Sequence, residues 1–79
     1  MARYFFHLCD GTDILLDPEG RVIDDAVLIS HLALKEARAI ISHEALGGSI
    51  DLHQSIEVRD EGGTTVHRLS FRDAVAIRD

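Results

Sequence analysis

The sequence predicts an α+β domain: an antiparallel sheet of about four strands in ββαββ order, with one long helix packed across one face. Three observations carry that expectation. The stretch Ala26–Leu46 holds neither Gly nor Pro and is rich in Ala and Leu, which lose little entropy in a helix. The segments on either side are short apolar runs separated by clusters of Asp, Gly and Pro, the pattern of strands joined by turns. At 79 residues the chain is one domain, 1–79, with room for one core and one such helix.

Taken in order, Arg3 to Cys9 is an aromatic-rich strand. Tyr4, Phe6 and Leu8 point to one side, and Phe5, His7 and Cys9 to the other. Both sides are partly apolar, which predicts a central strand covered on both faces. Asp10-Gly11-Thr12 turns the chain into a short second strand, Ile14-Leu15-Leu16. Asp17-Pro18-Glu19-Gly20 has the residue order of a type I turn, and Val22-Ile23 leads to the helix. Asp24 or Asp25 suits the N-cap, and Gly47-Gly48 supplies the left-handed residue that ends a helix. At 1.5 Å per residue the helix is a rod of roughly 30 Å. Its core stripe is Ala26, Ile29, Ala33, Ala37, Ile40 and Ile41, with His31, Lys35, Arg38 and Ser42 toward water.

After the helix, Ser55 to Arg59 alternates, with Ile56 and Val58 inward and Glu57 and Arg59 outward. Asp60-Glu61-Gly62-Gly63 is a hairpin signal because the glycines accept positive φ cheaply. Thr64 to Phe71 returns as the last strand, and the mismatch of Val66 with Leu69 and Phe71 predicts a bulge near His67-Arg68 or a strand packed on both faces. Ser70 to Asp73 has capping-box spacing, which predicts a closing helical turn over Ala74–Ile77.

Composition narrows the function classes. A net charge of −6 repels phosphate backbones, so nucleic acid is not an expected partner. The seven arginines are dispersed, and Tyr4, Phe5 and Phe6 read as core rather than as a base-stacking platform. The single cysteine, Cys9, fits a reducing cytosol. No apolar run exceeds the four residues of Ala26–Ile29 or Ala74–Ile77, so no membrane span is expected and the cytoplasm is the default location.

Candidate chemistry is sparse. His7 and Cys9 share a strand face, and His67 would join them as a three-ligand metal site if the first and last strands were neighbours. No Cys-x-x-Cys or His-x-x-x-His spacing supports that set, and His31 and His43 lie about 120° apart around the helix. No Gly-x-Ser-x-Gly elbow or phosphate-loop motif is present. No catalytic, cofactor-binding or resident metal residue is therefore assigned, and no cofactor is expected.

Several segments carry a resemblance. They are Arg3-Tyr4-Phe5-Phe6-His7-Leu8 with Asp10-Gly11, the Glu19-Gly20 turn, Ala33-Leu34-Lys35-Glu36-Ala37-Arg38, and Phe71-Arg72-Asp73-Ala74-Val75. Together they resemble a family of very small rhizobial-type alphaproteobacterial proteins classed only as a domain of unknown function. The resemblance implies a compact cytoplasmic α+β domain with no assigned activity. This chain departs from the family's pattern in its first helical turns, where Val27, Leu28, Ile29 and Leu32 replace polar residues.

The expected function is that of a self-associating interaction or regulatory module, not an enzyme. The alternative is a metal- or small-ligand-binding protein using His7, Cys9 and His67. A second helical stripe, Leu28, Leu32, Ala39 and Leu46, lies outside the core face and predicts a homodimer interface, since three leucines in water make a large apolar patch for so small a monomer. The charge balance yields a first test. Solubility falls as the protein is acidified from neutral pH toward its sequence pI of about 5.2, and turbidity that stays flat across that range contradicts the expectation.

Overall fold

The computed structural model describes residues 2–78. It contains strands β1 (Ala2–Asp10), β2 (Asp13–Leu15) and β3 (Arg21–Ile23), then helix α1 (Leu28–Leu46), then strands β4 (Gln54–Arg59) and β5 (Thr65–Ser70), and a 3₁₀ turn at Phe71–Asp73. All pairings are antiparallel. The order across the sheet is β2-β1-β4-β5, with β3 also paired to β1. The predicted α+β architecture stands, with one strand more than expected: Val22-Ile23 belongs to β3.

β2 and β3 run in the same direction along β1, β2 against Leu8–Asp10 and β3 against Ala2–Tyr4. The break between them is patched by Asp17. Its Oδ2 accepts from the Phe6 N–H at 3.2 Å, where a neighbouring strand would have offered a carbonyl. Its Oδ1 accepts from the N–H groups of Glu19 and Gly20 at 3.2 and 3.1 Å. The predicted turn is thus held by a side chain rather than by the backbone alone.

The helix starts two residues later than predicted. Asp25 Oδ1 accepts from the Val27 N–H at 3.0 Å, and the carbonyls of Asp25 and Ala26 take the N–H groups of Leu28 and Ile29. Asp25 therefore caps a leading turn, and Ala26 is exposed rather than in the core stripe. The buried face is Ile29, Ala33, Ala37 and Ile41, spaced four apart. Ala33 and Ala37 have no exposed surface, so the helix backbone sits close upon the sheet. They pack with Phe6, Ile23, Ile56, Val58, Phe71 and Ala74. Gly48 (φ 98°), not Gly47, adopts the left-handed conformation at the helix end.

The expected bulge is present, with Val66 as its extra residue one place before His67, because the hairpin holds Arg59 against Thr65 while Val58 pairs with His67. One further expectation is corrected. Ala74–Ile77 is not helical, since the Ser70 side chain caps nothing and the chain closes with one 3₁₀ turn. Arg38 fastens that end by donating from Nε to the Ala74 carbonyl at 2.8 Å.

Gly20 is the glycine the fold most needs. Its φ is +69°, and a Cβ there would meet the Tyr4 carbonyl at 2.8 Å and the Phe5 ring at 2.9 Å. Gly63 (φ +84°) has open space around it. The two separate backbone strain from collision. Gly63→Ala should cost about 1 kcal/mol from its left-handed backbone alone, and Gly20→Ala clearly more. Urea denaturation of both variants checks the order, which equal losses would contradict.

Candidate functional site

α1 lies over β4 and β5 on one side of the sheet. No helix covers the other side, contrary to the expectation that β1 is enclosed on both faces. Strand alternation decides what this open face presents. Phe5, His7 and Cys9 of β1 stand opposite Arg59, Glu57 and Ser55 of β4, which in turn stand opposite Thr65, Arg68 and Ser70 of β5. The result is three rows across three strands, with Glu57 at the centre.

Polar groups bury one another here. Glu57 is 8% exposed and His7 7%, although no helix lies above them. The Glu57 Oε2 accepts from Arg59 Nε at 2.9 Å and Nη2 at 2.6 Å, a two-point clamp. Its Oε1 accepts from the Thr65 hydroxyl at 3.3 Å and lies 3.7 Å from Arg68 Nη1. The hydrogen bonds from Arg59 hold the Glu57 carboxyl below its ordinary range; burial opposes them, and the charges of Arg59 and Arg68 and the Thr65 hydroxyl reinforce them.

His7 is fastened differently. Its Nδ1 accepts the Asp17 N–H at 3.0 Å, which places the proton of a neutral ring on Nε2, and the ring stacks on Phe5 with centroids 6.3 Å apart. The loop that carries Asp17 is thereby tied to the face. Burial works against ionisation of Asp17, but the backbone N–H groups of Gly20, Phe6 and Glu19, with the charge of Arg21, outweigh it and lower its pKa.

The expected ligand set is not assembled. β4 separates β1 from β5, and His67, opposite Val58, lies on the helix side beside Tyr4 and Ile29. His7 and Cys9 face the other way. Among the described residues no group of three or more His, Cys, Asp or Glu is placed to hold a metal ion. No hydrogen bond among those residues joins Cys9 or Ser55 to His7, whose Nδ1 is taken by the Asp17 N–H.

On the helix side, α1 leaves β1 partly uncovered. A groove of about 370 Å³ opens there over Phe6, Leu8, Ile40 and Ile56. Asp17, Glu19, Arg21 and Glu36 also line it; Arg21 and Glu36 are paired with each other, and the Arg21 guanidinium also sits 4.5 Å above the Phe6 ring. The second helical stripe runs along the same flank. Leu46 is 86% exposed and Leu28 47%; Ala39 is exposed, and Leu32 is half-buried against the core.

With the geometry in view, comparison places the chain. It belongs to DUF6894. This domain of unknown function matches residues 3–72, which include the whole opening motif and the first two residues of the closing one. No curated protein and no solved structure matches the chain. No helix of the DUF6894 domain, among the described residues, is long and apolar enough to cross a membrane.

The charged rows were missed because the expected ligand set joined His7 and Cys9 to the wrong strand. The alternation Ser55, Glu57, Arg59 already marks a polar face, and pairing it with His7 and Cys9 would have found the centre. Both depressed carboxyls stabilise the fold above their ordinary values of 4.5 for Glu57 and 3.8 for Asp17, and that stability is lost as pH falls through their lower folded values. The urea midpoint should therefore drop on acidification below about pH 5. Glu57→Gln should cost about 1–3 kcal/mol at neutral pH and flatten the acid loss. An unchanged acid profile in that variant would contradict this account.

Proposed function

We propose that this DUF6894 domain is a non-catalytic interaction or regulatory module of an alphaproteobacterial cytoplasm, and that it self-associates as a homodimer through the outer flank of α1. The observation that carries the reading is the exposure of Leu28 and Leu46 at opposite ends of that flank. Fully burying one such side chain contributes about 1.5–3 kcal/mol, and Leu28 is about half and Leu46 almost wholly left to solvent.

A second copy is the occupant that fits. Leu28, Leu32, Lys35, Ala39, Ser42 and Leu46 follow one another at alternating four- and three-residue steps, the seam of a helix pair. A two-fold axis at the level of Ala37 sends this seam onto itself. Leu28 meets the partner's Leu46, Leu32 meets the small Ser42 of the partner subunit, and the Lys35 stem meets the partner's Ala39. Large residues thus face small ones between two leucine ends, and a two-fold contact closes without propagating. The non-catalytic part of the reading draws support from Glu57, whose oxygens are committed to Arg59 and Thr65 and whose lowered pKa makes it a weak base.

Light scattering at tens of micromolar should give twice the 8.7 kDa chain mass. The double variant Leu28→Glu/Leu46→Glu should remain folded by circular dichroism and scatter as a single chain. Leu32 is a poorer choice because it also packs against the core. A wild-type mass of one chain contradicts the proposal.

A further inference from the structure

We infer that the open face of the sheet is an oxyanion-binding site, in which Arg59 and Arg68, gathered around Glu57, take a phosphate or carboxylate group of a ligand. This goes beyond self-association and is independent of it, since α1 lies on the other side of the sheet.

The charge count comes first. Two guanidiniums and one carboxylate leave this cluster at +1, on a chain whose net charge is −6. β1 brings Phe5, His7 and Cys9 to these rows, none of them acidic, and Arg3 follows them at the same strand parity. In the adjoining hairpin, Asp60 Oδ1 is taken by the N–H groups of Gly62 and Thr64, and Glu61 Oε1 accepts from the Arg3 N–H.

The geometry comes second. Arg59 spends Nε and Nη2 on Glu57, which fixes its plane, and its Nη1 has no acceptor among the described residues. Arg68 Nη1 stands 3.7 Å from Glu57 Oε1, beyond hydrogen-bond reach, and the side chain is 62% exposed. The carboxylate is already satisfied by Arg59 and the Thr65 hydroxyl, so Arg68 is not needed to neutralise it. Its donors are therefore free beside a second guanidinium whose orientation is set by a buried counter-ion. Two such groups suit an oxyanion, because guanidinium forks match carboxylate and phosphate geometry and a pre-positioned arginine loses less entropy on binding. The Ser70 hydroxyl, next to Arg68 in the same column of the face, adds a further donor within the fold's register.

Chemical-shift titration of the ¹⁵N-labelled protein with inorganic phosphate and, separately, with acetate tests this at pH 7 and constant ionic strength. Saturable shifts confined to Glu57, Arg59 and Arg68 are expected, with a Kd on the order of 1 mM for so small a probe. Arg68→Ala should weaken binding about tenfold or more. Arg78→Ala, which removes the same charge from the exposed end of the chain, should leave it unchanged. Saturation by phosphate alone assigns a phosphoryl ligand, and saturation by acetate as well assigns a carboxylate. No saturable shift with either anion, or an equal loss in Arg78→Ala, overturns the inference.

Discussion

The clamp of Arg59 on Glu57 is what holds a buried carboxylate at the centre of the sheet's uncovered face. One helix buries one face, and α1 does so with Ile29, Ala33, Ala37 and Ile41. The other face of an antiparallel sheet can meet water directly, but here its side chains cover one another, and Glu57 and His7 are buried with no helix above them. Burying an unpaired carboxylate costs several kcal/mol, so Glu57 can occupy the centre of that face only because its oxygens are met by Arg59 and Thr65. The same pairing fixes the plane of the Arg59 guanidinium beside Glu57 on that face. It therefore links packing to surface chemistry: the residues that close the face are also the ones that give it a charge opposite to that of the whole chain.

β1 transmits that arrangement to the rest of the domain. It is paired on both edges, to β4 on one and to β2 and β3 on the other, and it supplies Phe6 to the core and His7 to the open face. Where β2 gives way to β3, Asp17 substitutes a carboxylate for a strand, and its own N–H is tied to His7. One short loop thus completes the sheet edge and fastens the open face. Gly20 makes this possible by letting the loop approach the Tyr4 carbonyl more closely than any side chain would permit.

Much of this was legible in the sequence, for physical reasons that can be named. The α1 core stripe could be read because Ile29, Ala33, Ala37 and Ile41 recur with the helical period. The facing of Ile56 and Val58 could be read because strand alternation has no exceptions within β4. The hairpin at Gly62-Gly63 could be read because positive φ favours glycine. What failed depends on long-range partners. The placing of His67 required knowing that β4 lies between β1 and β5 and that a bulge resets the parity of β5. The start of α1 depended on Asp25 capping a leading turn rather than the helix itself. The enclosure of β1 was over-read because Phe5 and His7 look like core residues, and aromatic composition does not distinguish a helix lid from an arginine one.

The central claim is that Glu57 is ionised, buried and clamped by Arg59. The most direct measurement is the pH dependence of the Glu57 side-chain carboxyl carbon shift, followed together with the Arg59 Nε–H resonance. The account predicts a carboxyl that titrates below its ordinary value of 4.5 and an Nε–H that is protected from solvent exchange until Glu57 takes up its proton. A Glu57 carboxyl titrating at or above that value, with an Arg59 Nε–H exchanging as fast as that of a free arginine, would contradict it.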